Sequence, residues 1–181
     1  MGGWDRDLAF AMKRVLMSSL AAGSILTAQV EVQAPTGRTD RGFGAGTTMI
    51  EGSLLFAQRL PAGWFVHAQA GYGAAWNRGD PDAAFVRGAI GDAVVPVRYG
   101  RMIAPMLEVM AERPIGAGGG PVDVDVDVDV VPQLQITLSA RQHIRAAGGV
   151  QIPVTDRTDR SMAALVYVLW DWADGALTEG W

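Results

Sequence analysis

The stretch Val122–Arg141, VDVDVDVDVVPQLQITLSAR, decides how the rest of the chain is read. In its second half Gln133, Gln135, Thr137, Ser139 and Arg141 alternate with Leu134, Ile136, Leu138 and Ala140. Successive side chains of a strand point to opposite faces, so this spacing predicts a strand with one polar and one apolar face. Asp123, Asp125, Asp127 and Asp129 share the parity of Gln133, so one pattern runs from Val122 to Ala140, broken only at Val131. At about 3.3 Å per residue that pattern spans roughly 60 Å, about twice what a tilted strand needs to cross a bilayer. The expectation is a strand over Pro132–Arg141, with the Gly-rich and Val-Asp segment 114–128 as an outer loop or strand extension. Pro132, which gives up a ladder hydrogen bond, would stand where the two meet. Aspartates two positions apart in a flat strand lie about 7 Å apart in a row and do not converge on one ion. Asp123, Asp125 and Asp127 are therefore only a weak candidate cation site.

The same period recurs along the chain. Leu26, Ala28, Val30, Val32 and Ala34 alternate with Thr27, Gln29, Glu31 and Gln33, and Ile144–Val154 repeats the pattern. Further strands are expected at Asp7–Met17, Thr47–Arg59, Gly63–Trp76, Ala83–Val95, Arg101–Arg113 and Ser161–Trp172. That gives about nine strands, mostly longer than the usual five or six residues. Short links (SSLAAG, LPAG, VRYG, ARQ) alternate with longer polar or Gly-rich ones (PTGRTDRGFGAG, NRGDPDA, IGAGGGPVD, TDRTDR). Along an antiparallel meander this alternation gathers the long loops at one end, as in outer-membrane barrels. The fold class expected is all-β: an up-and-down meander forming a complete or partial transmembrane β-barrel, residues 1–181 being one domain.

Composition narrows the function. The 181 residues carry 15 basic and 19 acidic side chains, which gives no electrostatic argument for nucleic acid. Cysteine is absent, so disulfides, thiolate metal sites and thiol nucleophiles are excluded. No run of about 18 apolar residues encodes a membrane helix. Met12–Val30 is shaped like a signal peptide, but Ser18, Ser19, Gly23 and Ser24 interrupt its apolar core and eleven residues precede it. GFGAGTT (Gly42–Thr48) lacks the lysine and following helix of a phosphate loop. His67 and His143 are the only histidines, on different strands, and Ser139 and His143 flank a turn. Neither arrangement suits a metal or a serine nucleophile, so no enzyme and no cofactor is expected.

The polar parity is the informative set. It comprises Gln29, Glu31, Gln33, Glu51, Arg59, His67, Gln69, Arg87, Glu108, Glu112, Gln133, Gln135, Arg141, Arg145 and Gln151. Buried in a dry core these groups would cost several kcal/mol each, so they need water or one another. In a barrel they would line the lumen. Trp64, Tyr72, Trp170 and Trp172 fit an interfacial aromatic girdle.

The segment DVVPQLQITLSARQHIRAAGGVQIPV…ALVYVLWDWADGALTEGW (Asp129–Trp181) resembles the tail of a proteobacterial family of porin-like outer-membrane barrels. Members are described as transporters or as related to the meta-pathway of phenol degradation. LTAQVEVQAPTGRTDRGFGAGTTMIEGSLLFAQ (Leu26–Gln58) resembles the same family, in which a strand ends in Pro-Thr-Gly before a Gly-rich loop. The resemblance implies an outer-membrane β-barrel, with the lipid bilayer and a small-molecule solute, hydrophobic ones included, as partners. It implies no catalytic residues. The chain departs from the family in lacking its leader and early strands and in carrying the Val-Asp repeat. Tracing nine strands back from the last puts the start of the chain on the outer side. The expectation is therefore an N-terminal truncation or a start called too late, closure requiring missing N-terminal strands or a homo-oligomer. The competing expectations are a soluble or periplasmic ligand-binding domain (lipocalin-like barrel or sandwich), with the apolar faces inside, and a structural barrel that scaffolds a partner.

Overall fold

Alternation of large apolar with polar or small residues becomes, in the computed structural model, an unbroken run of strands. The structure describes residues 8–36, 46–77, 80–94, 103–116, 126–138, 144–156, 158 and 160–170, with the side chain of Trp170 excepted. The strands are β1 (Leu8–Ser19), β2 (Ser24–Ala34), β3 (Met49–Arg59), β4 (Trp64–Ala75), β5 (Asp82–Asp92), β6 (Ile103–Ile115), β7 (Asp127–Thr137), β8 (Ile144–Pro153) and β9 (Ala163–Trp170). There is no α-helix among the described residues; a single 3₁₀ turn at Pro61–Gly63 joins β3 to β4.

All nine strands form one antiparallel sheet in sequence order, each paired with its chain neighbours. Among the described residues β1 and β9 are not paired with each other, so the sheet is open. The links after β1, β3, β5 and β7 leave from one end of the strands, and those after β2, β4, β6 and β8 leave from the other. The second end, called the long-loop end below, holds most of the longer links. The link 93–102 exceeds both 76–81 and 154–162, so length does not alternate strictly. The turn from β3 to β4 depends on glycine: Gly63 has φ 87°, and a Cβ there would lie 2.8 Å from the Asp92 carboxylate.

β7 differs from expectation at both ends. It begins at Asp127, inside the Val-Asp repeat, and stops at Thr137. Likewise Pro114 and Ile115 belong to β6, so segment 114–128 is strand at both margins. Pro132 marks no junction. It lies mid-strand opposite Leu107, exposed on the apolar face. β7–β8 pairing is recorded at Val130↔Ile152 and resumes at Gln133↔Gly149 in the same register. The ladder therefore has a gap at the residue without an N–H, and no bulge. The bulge lies in β1, between Val15 and Met17.

Inside the sheet burial follows strand parity, with the polar parity covered; edge strand β1 is exposed on both faces. Along β3, Met49, Glu51, Ser53 and Leu55 are buried or half-buried, while Ile50, Leu54 and Phe56 are exposed. β7 repeats this: Val131, Gln133, Gln135 and Thr137 are covered, and Leu134 and Ile136 exposed. Phe85, Ala104, Val131, Ala147, Gln29, Ser53, Asp129 and Thr137, all under 9% exposed, belong to the polar parity. The sheet curls with that face concave. On the convex face Val30, Leu54, Val86, Leu107 and Val166 are exposed. Its charges Asp82, Asp92 and Arg113 stand at or near strand ends; Arg14, midway along edge strand β1, is the exception.

Candidate functional site

Register alone puts the polar set on one face. Directly opposed residues share a face, and one row of such pairs runs Lys13, Gln29, Ser53, Gly71, Phe85, Glu112, Asp127 across seven strands. The next row runs Thr27, Leu55, Gln69, Arg87, Met110, Asp129. Glu31 faces Glu51, His67 faces Ala89, and Glu108 faces Val131. Gln133, Gln135, Arg145 and Gln151 continue the face through β7, β8 and β9. Arg141 lies outside the described residues, as do Asp123, Asp125, Ser139, His143 and Trp172.

At least two cavities open on this concave face. The larger, about 420 Å³, is bordered by His67, Gln69, Arg87, Glu108, Gln133 and Gln135. It also touches Lys13 of β1 and Tyr167 of β9, so both sheet edges border one space. The smaller, about 240 Å³, is bordered by Glu31, Gln33, Glu51, Arg87 and Glu112. Arg87 belongs to both. Its guanidinium carbon sits 4.7 Å from the centroid of the Phe85 ring, a cation–π arrangement. Arg59, exposed at the far end of β3, and Arg145, near the start of β8, border neither.

Amides and carboxylates satisfy one another across strands, as a wet or partly filled interior requires. Gln133 Nε2 donates to Glu108 Oε2 (2.9 Å), and Gln133 Oε1 accepts from the Tyr167 hydroxyl (3.4 Å). Gln69 Nε2 donates to Ser53 Oγ (3.1 Å), and Gln29 Nε2 to Glu31 Oε2 (3.0 Å). Toward the long-loop end Gln151 Nε2 donates to Asp129 Oδ2 (2.8 Å). Arg160, from the link after β8, reaches back to the same oxygen (2.5 Å) and to Asp127 Oδ1 (3.2 Å). Asp127 is thus held in a salt bridge. Among the described residues no group of three His, Asp or Glu side chains is placed to hold a metal ion.

Several site residues escaped the sequence reading. Lys13 and Arg14 are adjacent, so one had to face each way, and nothing local says which. Asp129 has the right parity but lies between the extension expected over 114–128 and the strand expected from Pro132. Arg160 sits in a link with no periodicity at all. On the convex face, Trp64 and Tyr72 are both exposed on β4, Trp64 at its start and Tyr72 near its end. They are eight residues apart, about 26 Å along a strand. The Tyr72 hydroxyl donates to the Asp82 carboxylate, which also accepts from the Ala75 N–H (2.9 Å).

Comparison with known proteins returns no match, either to a family model or to a curated sequence.

Proposed function

We propose that the chain builds the wall of an outer-membrane β-barrel in a Gram-negative bacterium, whose polar interior passes small molecules. One observation carries this reading: the covered face is the polar one and the exposed face is the apolar one. Water-soluble sheets bury the apolar face, and a large contiguous apolar surface on a soluble monomer is rare. Lipid reverses that preference. An eleven-residue strand such as β3 spans about 36 Å. At a barrel tilt of about 40° it rises roughly 28 Å, close to the height of a lipid-facing band. Trp64 and Tyr72 then stand near the two rims, where amphipathic rings are favoured. The outer membrane in particular rests on the resemblance of Asp129–Trp181 to porin-like barrels.

The soluble ligand-binding alternative puts the apolar faces inside, which is the reverse of the burial seen along β3 and β7. Purified full-length chain is expected to require detergent or lipid, and to raise the ion conductance of planar bilayers. A chain that stays monodisperse in detergent-free buffer would overturn the membrane reading. Lipid insertion without conductance would leave a structural barrel in place of a passage.

A further inference from the structure

We propose that the interior is polarised along the strand direction, acidic toward the long-loop end and basic toward the opposite end. The passage then rectifies ionic current and favours small zwitterions over uncharged molecules of the same size. This inference rests on the passage reading above and specifies its solute class.

β3 alone carries both poles. Glu51 lies near its start at the long-loop end, and Arg59 is its last residue at the short-turn end. Both have the concave parity, eight positions and about 26 Å apart along the strand. Neighbouring strands repeat the order. Glu31 lies toward the long-loop end of β2, and Glu112 toward that end of β6. These three carboxylates border the smaller cavity with Arg87 as its single cation. Arg145 is the second residue of β8, at the short-turn end. Glu112 and Arg145 each engage neighbours, so the net charge of the two poles rests first on Glu31 and Glu51 and on Arg59. Asp127 and Asp129 add no net charge to the acidic pole beyond what Arg160 leaves uncompensated. Between the poles Lys13 and Glu108 border the same cavity and offset one another.

A lone cation entering such a space gains at the acidic mouth and is opposed at the basic one; an anion meets the reverse. A molecule carrying both charges can orient so that its ammonium group lies toward Glu31, Glu51 and Glu112 and its carboxylate toward Arg59 and Arg145. Neither charge is then opposed. For small ions, opposed fixed charges at the two mouths make a diode. Cations driven in from the acidic side and anions from the basic side accumulate together, so current flows more easily from the long-loop end to the short-turn end.

The test uses the full chain inserted from one side of a planar bilayer in symmetric potassium chloride. The current at equal and opposite voltages is expected to differ by roughly twofold or more. Glu51→Gln with Glu112→Gln, and separately Arg59→Gln with Arg145→Gln, should each move that ratio about halfway to one. The two pairs sit at opposite ends, so poor folding of one leaves the other informative. In liposome swelling, glycine should enter faster than its uncharged isomer glycolamide, and neutralising either pole should erase the difference. Linear current–voltage curves with equal entry of the two isomers would overturn the polarity while leaving the passage intact. Absence of any conductance would overturn the passage itself, and this inference with it.

Discussion

The Phe85 ring lies directly over Gly71 on the concave face, so close that a Cβ on Gly71 would sit 2.4 Å from Phe85 Cζ. The same Cβ would lie 2.7 Å from Ser53 Cβ and 2.8 Å from the Gly52 carbonyl oxygen. Phe85 is 6% exposed, and because Ser53 and the Gly52 carbonyl crowd the same Cβ, a shift of the ring alone does not relieve the clash. Gly71→Ala should therefore destabilise the fold by about 1–3 kcal/mol through overpacking. The cost should shrink when Phe85→Ala removes the ring. A double-mutant cycle in urea would show coupling between the two positions, and additive effects would refute the contact.

Arg160, half-buried, pairs with the buried Asp129 and anchors the link after β8 to the wall of β7. Removing Arg160 leaves the Asp129 carboxylate covered, with Gln151 as its remaining side-chain donor and Oδ1 already without a partner. Arg160→Ala is expected to cost about 3 kcal/mol, whereas Arg160→Ala with Asp129→Asn should cost clearly less. Equal losses in the single and double variants, measured by chemical unfolding, would show that the carboxylate is better hydrated than the geometry indicates.

Pro132 leaves β7 without one ladder donor in mid-strand. Pro132→Val restores that N–H and keeps an apolar side chain on the convex face. It should stabilise the sheet by roughly 0.5–1 kcal/mol. Amide exchange at Val150, opposite Pro132 in the register, should slow. Faster exchange there would mean that the proline is required for the local path of the chain.

Val86 is exposed near the middle of the convex face of β5. Under the membrane reading Val86→Arg should weaken folding into lipid vesicles by about 2–4 kcal/mol. The same change in a soluble protein would be nearly neutral at so exposed a position. Partitioning between urea and vesicles distinguishes the two.

These positions also show what the amino-acid order alone could carry. Strand number and polar parity were legible because period two states both at once: in β3 or β7 each residue declares its face by its neighbours. Where β7 starts was not legible, since Val-Asp repeats read as strand wherever pairing stops. In the structure β7 starts at Asp127, opposite Glu112, although β6 runs on to Ile115. The Arg160 anchor depends on a contact 31 positions away in sequence, which no local pattern encodes. Arg87 was legible as an inner residue, but its place between the two cavities comes from the curl of the whole sheet.

The odd number of strands among the described residues has a directional consequence. In an antiparallel meander β1 and β9 point the same way, from the long-loop end to the short-turn end. If those two edges meet each other, they can do so only as a parallel pair. A second copy of the chain set the same way up offers the same polarity at both seams, and so only parallel seams. Antiparallel closure needs a strand of opposite sense between the edges, beginning where β1 and β9 end. Its outward residues would lie beside Phe10, Met12, Val166 and Val168, the most exposed part of the apolar face, and its inward ones beside Lys13 and Tyr167.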